Sequence, residues 1–84
     1  MHYVYVLRSL RDEGFYIGYS SNLRRRMRYH SEGKFIRDII YYEAYLDQAD
    51  ALGREKYLKS GVGRRFLPSQ LNNYLRKHPS KEAA

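Results

Sequence analysis

The first stretch of the chain is apolar and β-branched. Tyr3 to Arg8 (YVYVLR) reads as a strand. Asp12-Glu13-Gly14 supplies turn chemistry, and Phe15 to Tyr19 (FYIGY) reads as a second strand. The first twenty residues therefore predict a β-hairpin. Ser20, Ser21 and Asn22 are all good helix N-caps, so a helix is expected from Asn22 to Ser31, ending before Gly33. Asp38 to Tyr45 (DIIYYEAY) reads as a third strand. Asp47 caps a second predicted helix, with Asp50 in its first turn, where the helix dipole favours an acid. That helix should end near Ser60, because Gly61 and Gly63 read as C-cap and loop residues. Pro68 suits the first turn of a third helix carrying Leu71, Tyr74 and Leu75 at apolar spacing. The polar segment from His78 to Ala84 is expected to fray. The order β-β-α-β-α-α predicts an α+β fold: a small three-stranded antiparallel sheet flanked by helices, forming one domain over residues 1–77.

Two helices carry ionisable residues where apolar ones belong. Around the first, at 100° per residue, Leu23, Arg26, Met27 and His30 form an i, i+3, i+4, i+7 stripe. Arg24, Arg25 and Arg28 lie on the other side, as a solvated face should. Burying an arginine without a partner is costly, so the stripe is expected to border a cleft. The plainer reading makes Arg26 an edge residue with its head in water and His30 a structural side chain. On the second helix, Glu55 lies between Ala51 and Leu52, inside the apolar arc, while Arg54, Lys56 and Lys59 fall toward or beyond its edges. An acid there needs a cation. Arg26 and a metal ion both qualify, and periodicity does not separate them.

Composition adds a partner class. Of 84 residues, 16 are Lys or Arg and 9 are Asp or Glu, a net charge of +7. Eleven of the basic residues are Arg, whose planar fork matches phosphate oxygens. With ten tyrosines, this points to nucleic acid. The lack of cysteine excludes disulfide scaffolds and thiolate zinc sites. The longest apolar run, Tyr3 to Leu7, is far too short to span a membrane, and nothing at the N-terminus reads as a signal peptide. A cytoplasmic location is expected.

Tyr3-Val4-Tyr5 followed by Phe15-Tyr16-Ile17-Gly18 resembles the GIY-YIG nuclease domain. The likeness continues through Ser21-Asn22-Leu23-Arg24-Arg25-Arg26, His30, Tyr41-Tyr42-Glu43 and Arg54 to Gly61, so it covers residues 3 to about 67. It is strongest to short stand-alone bacterial members, which resemble the N-terminal catalytic module of the excinuclease C subunit. The resemblance implies a divalent-metal-dependent endonuclease with a DNA repair or recombination role. By position it implies catalytic roles for Tyr5, Tyr16, Arg26, His30 and Glu55, with Glu55 holding the metal. Three features depart from the pattern. Tyr3 stands at the first motif's glycine, Tyr19 stands where some relatives place a lysine, and the stretch between His30 and the third strand is short.

The chemistry fits those residue types. One inward carboxylate suits Mg²⁺ or Mn²⁺, a single ion that keeps most of its waters and takes the rest of its shell from substrate phosphate. Arg26 would hold a non-bridging phosphate oxygen. A free tyrosine is ionised in only about one molecule in a thousand at pH 7. Tyr5 acting as base toward water therefore needs a proton acceptor, and His30 fills that role, with Tyr16 positioning phosphate or water. Arg24, Arg25, Arg28, Lys56, Lys59, Arg64 and Arg65 are candidates for non-specific phosphate contacts. No major-groove recognition helix is evident. A domain this small offers limited interface, so cutting both strands calls for a second copy or a partner protein. The leading expectation is a DNA endonuclease. The alternative is a non-catalytic DNA- or RNA-binding module that retains the nuclease fold. A protein-interaction domain with an incidental basic surface ranks third.

Overall fold

The computed structural model describes residues 1–9, 14–31 and 37–79, with the side chains of 29–31, 37 and 38 set aside. The elements are β1 (His2–Ser9), β2 (Phe15–Ser20), α1 (Leu23–Ser31), β3 (Arg37–Tyr45), α2 (Gln48–Lys59), α3 (Gly61–Gln70) and α4 (Asn72–Lys77). The expected α+β architecture is present, with one helix more than the sequence pattern predicted. The apolar β1 takes the centre of an antiparallel sheet in the order β2-β1-β3.

β1 is buried on both faces. Val4 and Val6 point one way, and Tyr5 and Leu7 point the other. The valine face meets Ala51 and Leu58 of α2, Leu67 of α3 and Leu71 at the α3–α4 junction, forming the main core. Phe15, Ile17 and Tyr19 of β2 and Ile40, Tyr41 and Tyr45 of β3 extend it. A bulge between Val6 and Leu7 shifts the β1–β3 register, so that Tyr41 opposes Val6 while Ile39 opposes Leu7. Ile40 is the extra residue and packs on the same core as Tyr41. On the opposite face, Leu23 and Met27 of α1 lie beside Tyr3, Ile39 and Tyr42. The sheet is thus sandwiched between α1 and the α2–α4 layer.

The helix caps fall where the side chains allow. Asn22 Oδ1 accepts from Arg25 N at 3.0 Å, starting α1. Asp47 Oδ1 accepts from Ala49 N at 2.8 Å, starting α2, and Asp50 lies in the first turn as expected.

The region after α2 differs from expectation. α2 ends at Lys59, as predicted, but Gly61 and Gly63 belong to the next helix. Ser60 serves both elements. Its N–H donates to Tyr57 O at 3.0 Å, closing α2, and its hydroxyl oxygen accepts from Gly63 N at 3.3 Å, opening α3. Gly63 is there for closeness of approach: a Cβ would sit 2.8 Å from the Leu58 carbonyl carbon and nearer still to Leu58 Cα and Tyr57 O. Pro68 lies inside α3 rather than at the start of a helix. It lacks the N–H that would bond the Arg64 carbonyl, and soon after it, at Leu71, α3 gives way to α4.

His78, the first residue of the segment expected to fray, is held. Its carbonyl accepts from Arg8 at 2.6 Å, and its ring stacks on Tyr74 with centroids 4.5 Å apart. Residues 80–84 lie outside the described part. Among the described residues, no helix is long and apolar enough to cross a membrane.

Candidate active site

Tyr5 sits directly opposite Gly18 across the β1–β2 ladder. A Cβ on residue 18 would fall 2.5 Å from Tyr5 Cζ and nearer still to its hydroxyl. The Tyr5 ring therefore lies across the glycine toward the β2 edge of the sheet, and only a residue without a side chain leaves room for it. Tyr16, two residues earlier on β2, faces the same side opposite Leu7 and is 39% exposed. The two tyrosines assigned to chemistry thus share one face of the hairpin. Tyr19 projects to the other face, where it packs on the core and shares a 2.8 Å hydrogen bond with His2 Nδ1. The residue at the lysine position of some relatives is therefore structural here.

Charge from two helices converges on Tyr5. Burial pushes its hydroxyl above the ordinary tyrosine value, the Arg26 guanidinium pulls it down, and the Glu55 carboxylate pushes it up. Both charged groups lie within electrostatic reach of one hydroxyl. They come from different layers, Arg26 from α1 and Glu55 from α2. Tyr5 is a neutral hydroxyl in this arrangement.

Arg26 is exposed, while Leu23 and Met27 of the stripe predicted on α1 are half-buried. Its guanidinium borders a cleft of about 400 Å³ lined by Ser20, Ser21, Asn22, Arg25 and Arg26. The Ser20 hydroxyl shapes that cleft by donating to Asn22 O at 2.9 Å and accepting from Asn22 N at 3.0 Å. Ser20 is buried and Asn22 caps α1, so the mouth of the cleft is held by the turn that starts the helix. The sequence identified Ser20 and Asn22 as caps without connecting them to the site.

Glu55 is half-buried, at 20% exposure of its side chain, and its Oε2 pairs with the more exposed Lys59 at 3.2 Å. Its cation is therefore a neighbour one turn along the same helix, and not Arg26. Such a pair is weak and exchangeable. Among the described residues, no group of three or more His, Asp or Glu side chains comes together. A lone, reachable carboxylate fits a hard ion that retains its water shell and binds few protein oxygens. His30 lies in α1, but its side chain is outside the described residues. Arg24, Arg25, Arg28, Lys56, Lys59, Arg64 and Arg65 are all exposed. The first three are on the α1 layer and the other four are on the α2–α3 layer.

One half-buried polar cluster does not show in the sequence pattern. Glu43 of β3 accepts two hydrogen bonds from Arg54 of α2, 2.9 Å from Nε and 3.0 Å from Nη2. The Tyr45 hydroxyl donates to the same carboxylate at 2.6 Å, and the Tyr41 hydroxyl donates to it as well. Arg54 also lies over the rings of Tyr57 and Phe66, 5.1 and 5.0 Å from their centroids. Burial pushes the Glu43 carboxyl up, but these hydrogen bonds outweigh it and hold the group below the usual range. Tyr45 is pushed up to about 12, by burial and by the carboxylate it bonds. The available signal was Glu43 flanked by Tyr41 and Tyr45 on one strand face, opposite a helix whose Arg54 lies beside Leu58.

Residues 1–67 match the family model described as the GIY-YIG catalytic domain. Several relatives are similar over most of the chain. A UPF0213 protein of Oceanobacillus iheyensis is 32% identical, over 69% of this chain and 76% of the relative. A UPF0213 protein of Clostridium perfringens is 34% identical, over 70% of this chain and 71% of the relative. One from Natronomonas pharaonis is 37% identical, over 70% and 78%. No solved structure matches the chain.

Proposed function

The chain belongs to the GIY-YIG nuclease family, and on that premise we propose that it is a divalent-metal-dependent endonuclease hydrolysing phosphodiester bonds in DNA. The observation that carries this reading is the convergence of Arg26 and Glu55, from opposite layers, on a tyrosine hydroxyl that Gly18 makes room for. Hydrolysis needs a positioned nucleophile and stabilisation of charge on the phosphoryl oxygens. In this reading Arg26 holds a non-bridging oxygen of the scissile phosphate, whose strand lies along the Ser20–Arg26 cleft. A water attacks phosphorus and the bond to the leaving oxygen breaks. Because Tyr5 is neutral, it takes the water's proton only as its own passes on, and His30 is the proposed acceptor. Tyr16 positions the phosphate or the water. A single Mg²⁺ or Mn²⁺ held by Glu55 would, when bound, polarise the phosphate and assist the leaving oxygen. Arg24, Arg25 and Arg28, with Lys56, Lys59, Arg64 and Arg65 on the other layer, would contact flanking phosphates.

The short stretch of sequence between His30 and β3 favours a second reading: a DNA- or RNA-binding module that retains the fold without turnover. One assay separates the two. The protein is incubated with branched, nicked and plain duplex DNA, with and without Mg²⁺ or Mn²⁺. The nuclease reading expects metal-dependent cutting that falls by at least about 100-fold in Glu55→Gln and in Arg26→Ala, while DNA binding persists in Glu55→Gln. No cutting of any substrate, or equal cutting by Glu55→Gln, would leave the binding module.

A further inference from the structure

A second cleft opens beside the first, on the same side of the sheet. It is an open groove of about 510 Å³ and shares Ser21 and Asn22 with the Arg25–Arg26 cleft. The two differ in chemistry. The first is lined by Ser, Asn and Arg side chains. The second has walls of Tyr3, Tyr42, Met27 and Ile39, with Arg24 among its lining residues.

Its aromatic wall faces water. Tyr42 is 57% exposed, although it lies in mid-strand directly opposite Tyr5. Tyr3, its diagonal neighbour, meets it at 6.2 Å between centroids with the rings tilted by 59°. Among the described residues, the main core does not include this pair. The volume lies within the range of clefts that hold small organic ligands, about 300–1,000 Å³. A planar aromatic guest gains a stacking partner here, and Arg24 and Asn22 supply polar contacts at its edge.

We propose that the Tyr3–Tyr42 cleft is a nucleobase site that takes one unpaired base of the strand whose phosphate lies in the adjoining Arg25–Arg26 cleft. Charge and continuity commit it to this occupant. An anionic phosphate belongs beside the arginines, and the base attached to that nucleotide falls within reach of an apolar aromatic cleft across the shared Ser21–Asn22 wall. A base inside a duplex is stacked and paired, so entry favours bulged, flapped, branched or single-stranded nucleic acid over plain duplex. The inference rests on the phosphate placement proposed above and extends it to the class of substrate.

The test is a binding measurement without divalent ions, so that cutting plays no part. The probes are a DNA duplex carrying one unpaired 2-aminopurine and the same duplex fully paired. The wild-type protein is expected to bind the bulged probe at least about tenfold more tightly and to quench its emission, as stacking on a tyrosine does. In Tyr42→Ala the quench disappears and the affinity ratio falls about tenfold, while Tyr42→Phe, which keeps the ring, retains both. An unchanged ratio in a Tyr42→Ala protein with native circular dichroism overturns the proposal. So does sedimentation showing that Tyr42→Ala turns a dimer into a monomer, since the face would then be covered by a second copy. Failure of the nuclease reading would appear as absent cutting in Mg²⁺ and would leave this binding readout intact.

Discussion

Arg54 and Glu43 join α2 to β3 through two parallel hydrogen bonds of 2.9 and 3.0 Å. Glu55 follows Arg54 in sequence, so the pair that fixes α2 on the sheet also fixes the neighbouring carboxylate in the candidate site. The side chains of Arg54 and Glu43 are only 26% and 17% exposed, which makes this a mostly desolvated pair with its hydrogen bonds satisfied. Removing Arg54 leaves the Glu43 carboxylate with the Tyr41 and Tyr45 hydroxyls but no counter-charge. Arg54→Ala should therefore destabilise the fold by about 2–3 kcal/mol, on the order of 10 °C in Tm for a domain of this size. The double variant Glu43→Met with Arg54→Met should recover part of that loss, because no lone charge remains. Thermal unfolding of the three proteins measures both effects.

The same network sets the pH range of stability. Glu43 has its carboxyl held below the ordinary 4.5, so its ionised form is favoured in the folded state. Its contribution is present above about pH 4.5 and is lost as pH falls through the lower folded value. Tyr45 behaves in the opposite sense. Its hydroxyl moves from 10.0 to about 12 on folding, so its contribution is complete below pH 10 and is lost as pH rises toward 12. Denaturant midpoints measured from pH 3 to 12 should show a plateau that falls at both ends. Glu43→Gln should lower the plateau and flatten both flanks.

Strand positions were legible because β1 is short, apolar and β-branched, but which face does what was not. Val4 and Val6 meet the core while Tyr5 and Leu7 are equally buried on the other face, so alternation of polarity carries no signal in β1. Glu55 stood out by helical angle alone, since an acid beside Ala51 breaks the amphipathic pattern. Arg54 did not, because its partner is eleven residues away on another element and appears only once α2 docks. α3 was misread for a related reason. Gly63 reads as a loop residue, yet it is required by the contact of its backbone with Leu58. The tyrosines of the site were placed by family spacing, whereas the reason for the glycine in Tyr16-Ile17-Gly18 is a cross-strand register that one strand alone does not contain.

That register yields a sharp expectation. Gly18→Ala adds one methyl where the Tyr5 ring now lies, 2.5 Å from Cζ. The buried ring must move, and with it the hydroxyl that Arg26 and Glu55 act on. Misplacing a catalytic group by about 1 Å can cost on the order of 100-fold in rate. Cleavage by Gly18→Ala should fall by about that factor, with Tm lower by only a few degrees. The pairing of a large kinetic effect with a small thermal one distinguishes displacement of Tyr5 from general unfolding, and Tyr5→Phe should match it in rate with Tm near that of wild type.

The salt dependence of DNA binding tests how the basic residues divide the work. Each phosphate contact released contributes about 0.9 to the slope of log affinity against log salt. Arg25 is exposed and lines the cleft proposed to hold the strand, so Arg25→Ala should reduce the slope by about one. Arg64 is exposed too, but its Nε already donates to the Lys59 carbonyl at 3.2 Å, which ties its guanidinium to the end of α2. Arg64→Ala should change the slope by less than half as much. Fluorescence anisotropy between about 50 and 200 mM salt gives both slopes. Equal effects at the two positions would mean that Arg64 on the α2–α3 layer holds a flanking phosphate as firmly as Arg25 holds the strand along α1.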